Sequence, residues 1–193
     1  MTGSHAPAPR GRPVEIDRDG LARTAIALFD ERGFDTVTMD DVARAAGVSR
    51  RSLFRYFPSK AELIWDGFAP VEEARREALE HAASATPFDA LVAASLAGAD
   101  ALPDLAATRG RLRIIAARPE LVAFGSGRLH SGSLALVEHL LARGLDPLRA
   151  RVLADGVTVA VFDAYLHWAT ASRDASPRPT LERALALLAR LAD

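Results

Sequence analysis

Between Thr38 and Lys60 the chain reads T-M-D-D-V-A-R-A-A-G-V-S-R-R-S-L-F-R-Y-F-P-S-K, and few stretches of this length restrict a fold so tightly. Thr38 followed three residues later by Asp41 forms a capping box, so a helix opens at Met39 and continues through Ala46. Gly47 stops it, supplying the positive φ that a tight turn needs. Ser49 caps a second short helix, and Pro58 forbids its continuation. Val42, Ala46, Val48 and Leu53 are spaced to pack the two helices together, and Ala43, Ala45 and Ala46 are small enough for a close crossing. This is helix-turn-helix geometry, in which the second helix enters a DNA major groove. Arg50, Arg51, Ser52 and Arg55 fall at or near the exposed side of that helix. Arginine grips guanine in a bidentate contact, and serine hydroxyls reach bases or phosphates. Tyr56 and Lys60 lie at the far end, where a phenol and an ammonium suit backbone phosphates.

The rest of the chain is helical punctuation of the same kind. Asp17 offers an N-cap to a first helix whose Leu21, Ala25, Leu28 and Phe29 recur at helical spacing until Gly33. Ser59 with Glu62 forms another capping box, opening a longer connecting helix through Leu63, Trp65 and Phe68 that Pro70 kinks or splits. Beyond residue 85, Pro87, Pro103, Pro119 and Pro147 each stand at or near a helix start. The last long helix runs from Pro147 to about Arg173, and Thr180 caps a final one through Leu191. Alanine and leucine dominate, and strand-forming residues never alternate over a useful length. The expected fold is all-α: an N-terminal three-helix helix-turn-helix DNA-binding domain plus a C-terminal helical ligand-binding and dimerisation domain. The boundaries expected are a flexible tail over 1–13, the DNA-binding unit over 14–60 and the effector and dimerisation unit over 61–193.

Composition narrows the class. The chain has 193 residues, 49% hydrophobic and 25% charged, which is enough apolar surface for a sizeable core. It has no cysteine, which rules out disulfides, thiolate zinc sites and a cysteine nucleophile. No apolar run reaches the roughly 18 residues of a membrane span, and Met1 to Pro13 lacks the apolar stretch of a signal peptide, so a cytoplasmic protein is expected. The formal net charge of −1 argues at first sight against a nucleic-acid partner. Divided along the chain, it is −3 over 1–41, +4 over 42–65, −6 over 66–108, +4 over 109–130 and 0 over 131–193. Phosphate affinity follows local positive charge, so the neutral total conceals two basic blocks. Arg10-Gly11-Arg12-Pro13 reads either as a minor-groove arm or as a solubilising tail.

The stretch from Leu21 to Phe68 resembles the TetR family of one-component bacterial transcriptional regulators. The resemblance rests on A-x-x-L-F at Ala25 to Phe29, R-G-F-D-T-V-T-M-D-D-V-A at Arg32 to Ala43, and the run from Ala45 ending in aromatic-Pro-Ser-Lys at Lys60. It implies that Thr38, Tyr56 and Lys60 touch phosphate and that Ser49, Arg50, Arg51 and Ser52, with Arg55, face the groove. Phe54 stands where the family often has tyrosine, which removes one phosphate contact. The resemblance also implies a homodimer on a double-stranded, palindromic operator, most simply a repressor released by a small-molecule effector. The stretch from Arg111 to Leu121, ending Pro119-Glu120-Leu121, looks like a branch associated with the mycofactocin system and reported to sense acyl-CoAs.

The second half leaves more open. Hydrophobicity and the resemblance together place the dimer interface on the helix from Pro147 and the final helix, using Val152, Gly156, Val159, Ala160 and Asp163 against Leu181, Leu185 and Leu188; the alternative is that these residues bury within one subunit. The effector is expected among Phe88, Arg109, Arg113, Phe124, His130, Asp163 and His167. Asp163 and His167 lie four apart on one helix face, and an anionic acyl or acyl-CoA head group would sit on the cluster Arg109, Arg111, Arg113 and Arg118. The default reading of that cluster is a solvated face paired with acids elsewhere, and the head-group site is the sharper alternative. Too few ligands converge for zinc, so neither metal nor cofactor is expected. Gly125-Ser126-Gly127 is neither a dinucleotide fingerprint nor a nucleophile elbow, and no spacing gathers a catalytic triad, so no enzyme is expected. An architectural DNA-binding protein without an effector is the alternative function; weak sequence preference is its mark.

Overall fold

Ten helices follow one another in the computed structural model, which describes residues 17–82 and 85–192. Tail residues 1–13, with the proposed arm at Arg10 and Arg12, lie outside the described residues. Helix α1 (Arg18–Arg32) opens where Asp17 accepts the Gly20 N–H at 2.8 Å, and closes at Gly33, whose φ is 88°. Helices α2 (Met39–Ala45) and α3 (Arg50–Tyr56) are the pair read from sequence. Both halves of the Thr38–Asp41 capping box form, Gly47 has φ 67°, and Ser49 accepts the Ser52 N–H at 3.0 Å. Val42 and Leu53 are fully buried where α2 crosses α3, each stabilising the pair by about 1.5–3 kcal/mol.

The connecting segment departs from expectation. Helix α4 (Lys60–Ile64) is only five residues long and ends before Trp65; α5 (Ala69–His81) starts afresh with Pro70 in its first turn. The break comes earlier than the proline because Gly67 takes φ 88°, with the Arg111 guanidinium 3.1 Å from where a Cβ would stand. Ser59 accepts the Glu62 N–H at 3.1 Å, but the returning half of that capping box is not made. Glu62 instead pairs with Arg128 at 2.7 Å.

Helices α6 (Pro87–Asp100), α7 (Leu105–Ala116), α8 (Pro119–Ala142) and α9 (Pro147–Thr170) begin at the expected prolines. Helix α10 (Arg178–Ala192) begins earlier than expected. Thr180 is not its cap: it is buried in the first turn, where its hydroxyl donates to Asp174 at 3.2 Å. One core cluster joins α1–α4 to Leu112, Ile115, Leu121 and Trp168, so α7, α8 and α9 share a core with the N-terminal unit. A second gathers Leu79, Leu91, Leu140, Val157 and Leu185 among α5, α6, α8, α9 and α10.

Candidate nucleic-acid interface and effector cavity

The outer face of α3 carries the groove-facing candidates. Arg51 is exposed and has no ion pair or hydrogen-bond partner among the described residues. Arg50 is exposed, pairs with Asp40 at 3.1 Å and lies 5.4 Å from the Phe54 ring centroid. Arg55 donates to the Tyr56 hydroxyl at 3.1 Å. Ser49 and Ser52 share a 2.9 Å hydrogen bond at the start of the helix. These are exposed, local contacts of the kind that open at little cost when phosphate or base edges compete for them.

Thr38 and Lys60 are more engaged. The Thr38 hydroxyl donates to Asp41 at 2.6 Å; with the Thr38 backbone N–H and Arg44, it holds the Asp41 carboxyl down to about 2. Lys60 donates to the Phe34 and Val37 carbonyls at 2.6 and 3.1 Å and stands 4.4 Å from the Phe34 ring centroid. Burial lowers its pKa. Its ammonium therefore ties the loop between α1 and α2 to α4, with at most one N–H left for a phosphate.

Behind this interface lies a cavity of about 1030 Å³. Its apolar wall includes Trp65, Phe68, Leu112, Leu129 and Phe162. Trp65 stacks on Phe162 at 5.8 Å, donates its indole N–H to the Leu121 carbonyl at 2.9 Å, and lies flat against Gly125. A Cβ at Gly125 would stand 1.9 Å from the Trp65 ring, so this glycine admits the indole. The cavity reaches the DNA-binding unit through Asp17, Arg18 and Asp19 and through the break between α4 and α5. Arg18 pairs with Asp66 at 2.9 Å and holds its guanidinium 4.9 Å from the Phe57 ring centroid and 5.9 Å from that of Tyr56.

None of the seven residues expected to bind the effector lines this cavity. Phe88 packs on the second core cluster. Arg109 bonds the Asp174 carbonyl and lies over Trp168, while Arg113 bonds the Ala169 carbonyl at 2.8 Å. Phe124, Asp163 and His167 are exposed; His130 is exposed beside Arg151 at 3.3 Å. Of the arginine cluster, only Arg111 is buried; Arg113 is exposed, and Arg118 is paired with an acid from far along the chain. Arg118 pairs with Asp35 at 2.8 Å, holding that carboxyl below its usual range, and Arg111 is buried against Phe68. Each guanidinium is drawn to a partner far away in sequence, which spacing alone does not reveal.

Sequence reasoning missed Arg75, which lines the cavity with only 17% of its side chain exposed. It hides in a run of charges, E-E-A-R-R-E, that reads as a solvated face. The readable signal was its spacing of four from Val71 and from Leu79, both buried on the inner side of α5. The dimer-face expectation also shifts: Leu181 and Leu185 are buried within the subunit, whereas Val152, Val159 and Leu187 are exposed by 57% or more.

Residues 21–64 match the family model described as bacterial regulatory proteins, tetR family. A Mycobacterium tuberculosis protein assigned as the mycofactocin biosynthesis transcriptional regulator MftR is 32% identical over 164 residues, 82% of each chain. Among solved structures, a protein of Syntrophomonas wolfei assigned to the TetR family superposes with a TM-score of 0.67 at 11% identity, over 91% of this chain and 94% of the other. The Thermus thermophilus repressor FadR in complex with lauroyl-CoA superposes at 0.56 with 25% identity, over 89% and 93%. Its relatives are DNA-binding regulators rather than enzymes, and the chain belongs to the TetR family of bacterial transcriptional regulators.

Proposed function

We propose that the protein is a homodimeric repressor of a palindromic operator, released when a small molecule with an apolar, acyl-like body fills the cavity behind the DNA-binding unit. Residues 14–60 are the reading head and 61–193 the sensor. Ser49 to Ser52 and Arg55 face the major groove, with Thr38, Tyr56 and Lys60 along the phosphates. Half-sites one helical turn apart require the two α3 helices about 34–36 Å apart, so a shift of a few ångströms breaks registry. The observation that carries this reading is Arg18. It lines the cavity, pairs with Asp66 at the α4–α5 break, and lies over Phe57 and Tyr56 at the end of α3. A ligand that displaces this side chain acts on the recognition helix directly, and operator and effector then weaken one another by linkage. The lauroyl-CoA bound by the Thermus FadR, and the apolar wall here, support an acyl effector.

Selection from random DNA followed by titration with fatty acids and acyl-CoAs of graded length tests the proposal. The expected outcome is a palindrome bound by a dimer and released by some chain lengths. A protein with no sequence preference, or an operator complex indifferent to every acyl compound, overturns it; the former result is that of an architectural protein.

A further inference from the structure

The cavity holds a polar subsite that the proposed function does not use. Arg75 reaches into it from α5 with its stem against Gly98 of α6: a Cβ there would stand 2.8 Å from Arg75 Cγ. The Arg75 Nη1 lies 3.8 Å from the position of a Cβ on Gly132 of α8. Two glycines thus make room for one guanidinium between three helices. Among the described residues its one ion pair is a 3.4 Å contact with Glu72, a carboxylate 59% exposed to solvent, and its Nε is buried with no hydrogen-bond partner. A guanidinium so placed retains unused donors in a fixed fork.

Helix α9 supplies further donors. Thr158, Val161, Phe162 and Tyr165 all line the cavity, at spacings of three, four and seven that define one helix face. The Thr158 Oγ1 is buried without a partner. The Tyr165 phenol is a neutral O–H group able to donate, and burial raises its pKa further; the charges acting on it are Arg75 and Glu72 from α5 and Asp100 from α6. Arginine, tyrosine and threonine thus line one cavity whose wall is otherwise largely apolar, and donors in such surroundings suit an oxyanion.

We propose that Arg75, with Tyr165 and Thr158, is a carboxylate subsite, and that the effector is an amphipathic free acid held there by its head group. Gly132, beside the guanidinium, is seven residues along α8 from Gly125, against which Trp65 lies. That separation is about 10 Å along the helix axis. An acid anchored on Arg75 therefore lays its aliphatic body towards Trp65, Phe162 and the α4–α5 break. Arg75 sets head-group specificity, and the body acts on the DNA-binding unit. This rests on the cavity being the effector site, and it narrows the acyl class to one bearing a free carboxylate.

The test uses the full chain and three probes of equal chain length: decanoate, 1-decanol and methyl decanoate. Binding is followed by calorimetry and by thermal shift, and operator binding is measured separately on the ligand-free protein. The expected result is tenfold or greater preference for decanoate over both neutral probes. In Arg75→Met that preference collapses, with decanol binding retained; Arg75→Lys keeps part of it, and Tyr165→Phe weakens decanoate alone. If Arg75→Met does not fold, the Lys and Phe variants carry the comparison. Equal binding of acid, alcohol and ester by the wild-type protein overturns the subsite while leaving the cavity as an effector site. Unchanged decanoate binding in the variants, or no binding of any probe, also overturns it. Failure of operator binding in the ligand-free protein would count against the proposed function instead.

Discussion

Residues 42–65 and 109–130 each carry five cations against one acid. In the first block, Arg44, Arg50 and Arg55 have partners within ten residues, all at the surface, and Arg51 has none among the described residues. In the second, Arg109, Arg113 and Arg128 bond backbone carbonyls at least 56 residues away, Arg118 pairs with Asp35, and Arg111 is buried beside Phe68. A local, exposed contact leaves a guanidinium available to a new partner. A distant carbonyl or a buried ring uses the same charge to fasten the fold. Equal charge thus stays available at the surface in one place and becomes a set of rivets in the other, and Lys60, bound to Phe34 and Val37, behaves like the second group from within the first.

Substitutions that separate stability from DNA affinity can break this comparison. The largest effect is expected at Arg111. Arg111→Ala removes a buried guanidinium packed on Gly67 and Phe68 and leaves Asp19, Asp66 and Asp104 without its charge, costing about 2–3 kcal/mol of stability. A urea titration checks it. Arg50→Ala and Arg51→Ala should each cost about 1–3 kcal/mol of operator binding and relax specificity, with the urea midpoint unmoved. An unfolding shift as large as that of Arg111→Ala would erase the distinction. Arg113→Ala should lose about 1 kcal/mol of stability, the worth of its bond to the Ala169 carbonyl, and leave operator affinity alone.

The smallest effect concerns pH. The Asp41 carboxyl falls to about 2 because Thr38 and Arg44 donate to its ionised form. A depressed carboxylate stabilises the native state fully above its unfolded pKa of about 3.9, and that contribution fades as pH drops towards the native value. Acid unfolding of Asp41→Asn should therefore be flatter than wild type between about pH 4 and pH 2. Parallel curves would remove the capping box from the account of why α2 holds its place.

The same contrast explains what could be read without coordinates. Asp17, Thr38 and Ser49 cap their helices as expected because an N-cap is satisfied within three residues. Gly33 and Gly47 end theirs for an equally local reason. Thr180 resembles those caps, but Asp174 and the burial of Pro177 start the helix earlier. The cavity was illegible for a physical reason: its walls come from α1, the α4–α5 break and α5, α7, α8 and α9. No periodicity within one helix announces that Gly125 makes room for Trp65 or that Gly98 and Gly132 make room for Arg75. The seven expected ligand residues were chosen by type, and the fold sends most of them to the surface or to backbone partners.

The most direct test of the central claim compares wild type, Arg51→Ala and Arg113→Ala on one selected operator by fluorescence anisotropy across a salt series. If α3 reads DNA and α7 fastens the fold, Arg51→Ala binds about five- to a hundredfold more weakly, and Arg113→Ala stays within about twofold of wild type. Wild-type affinity in Arg51→Ala, or equal losses in the two variants, contradicts the account.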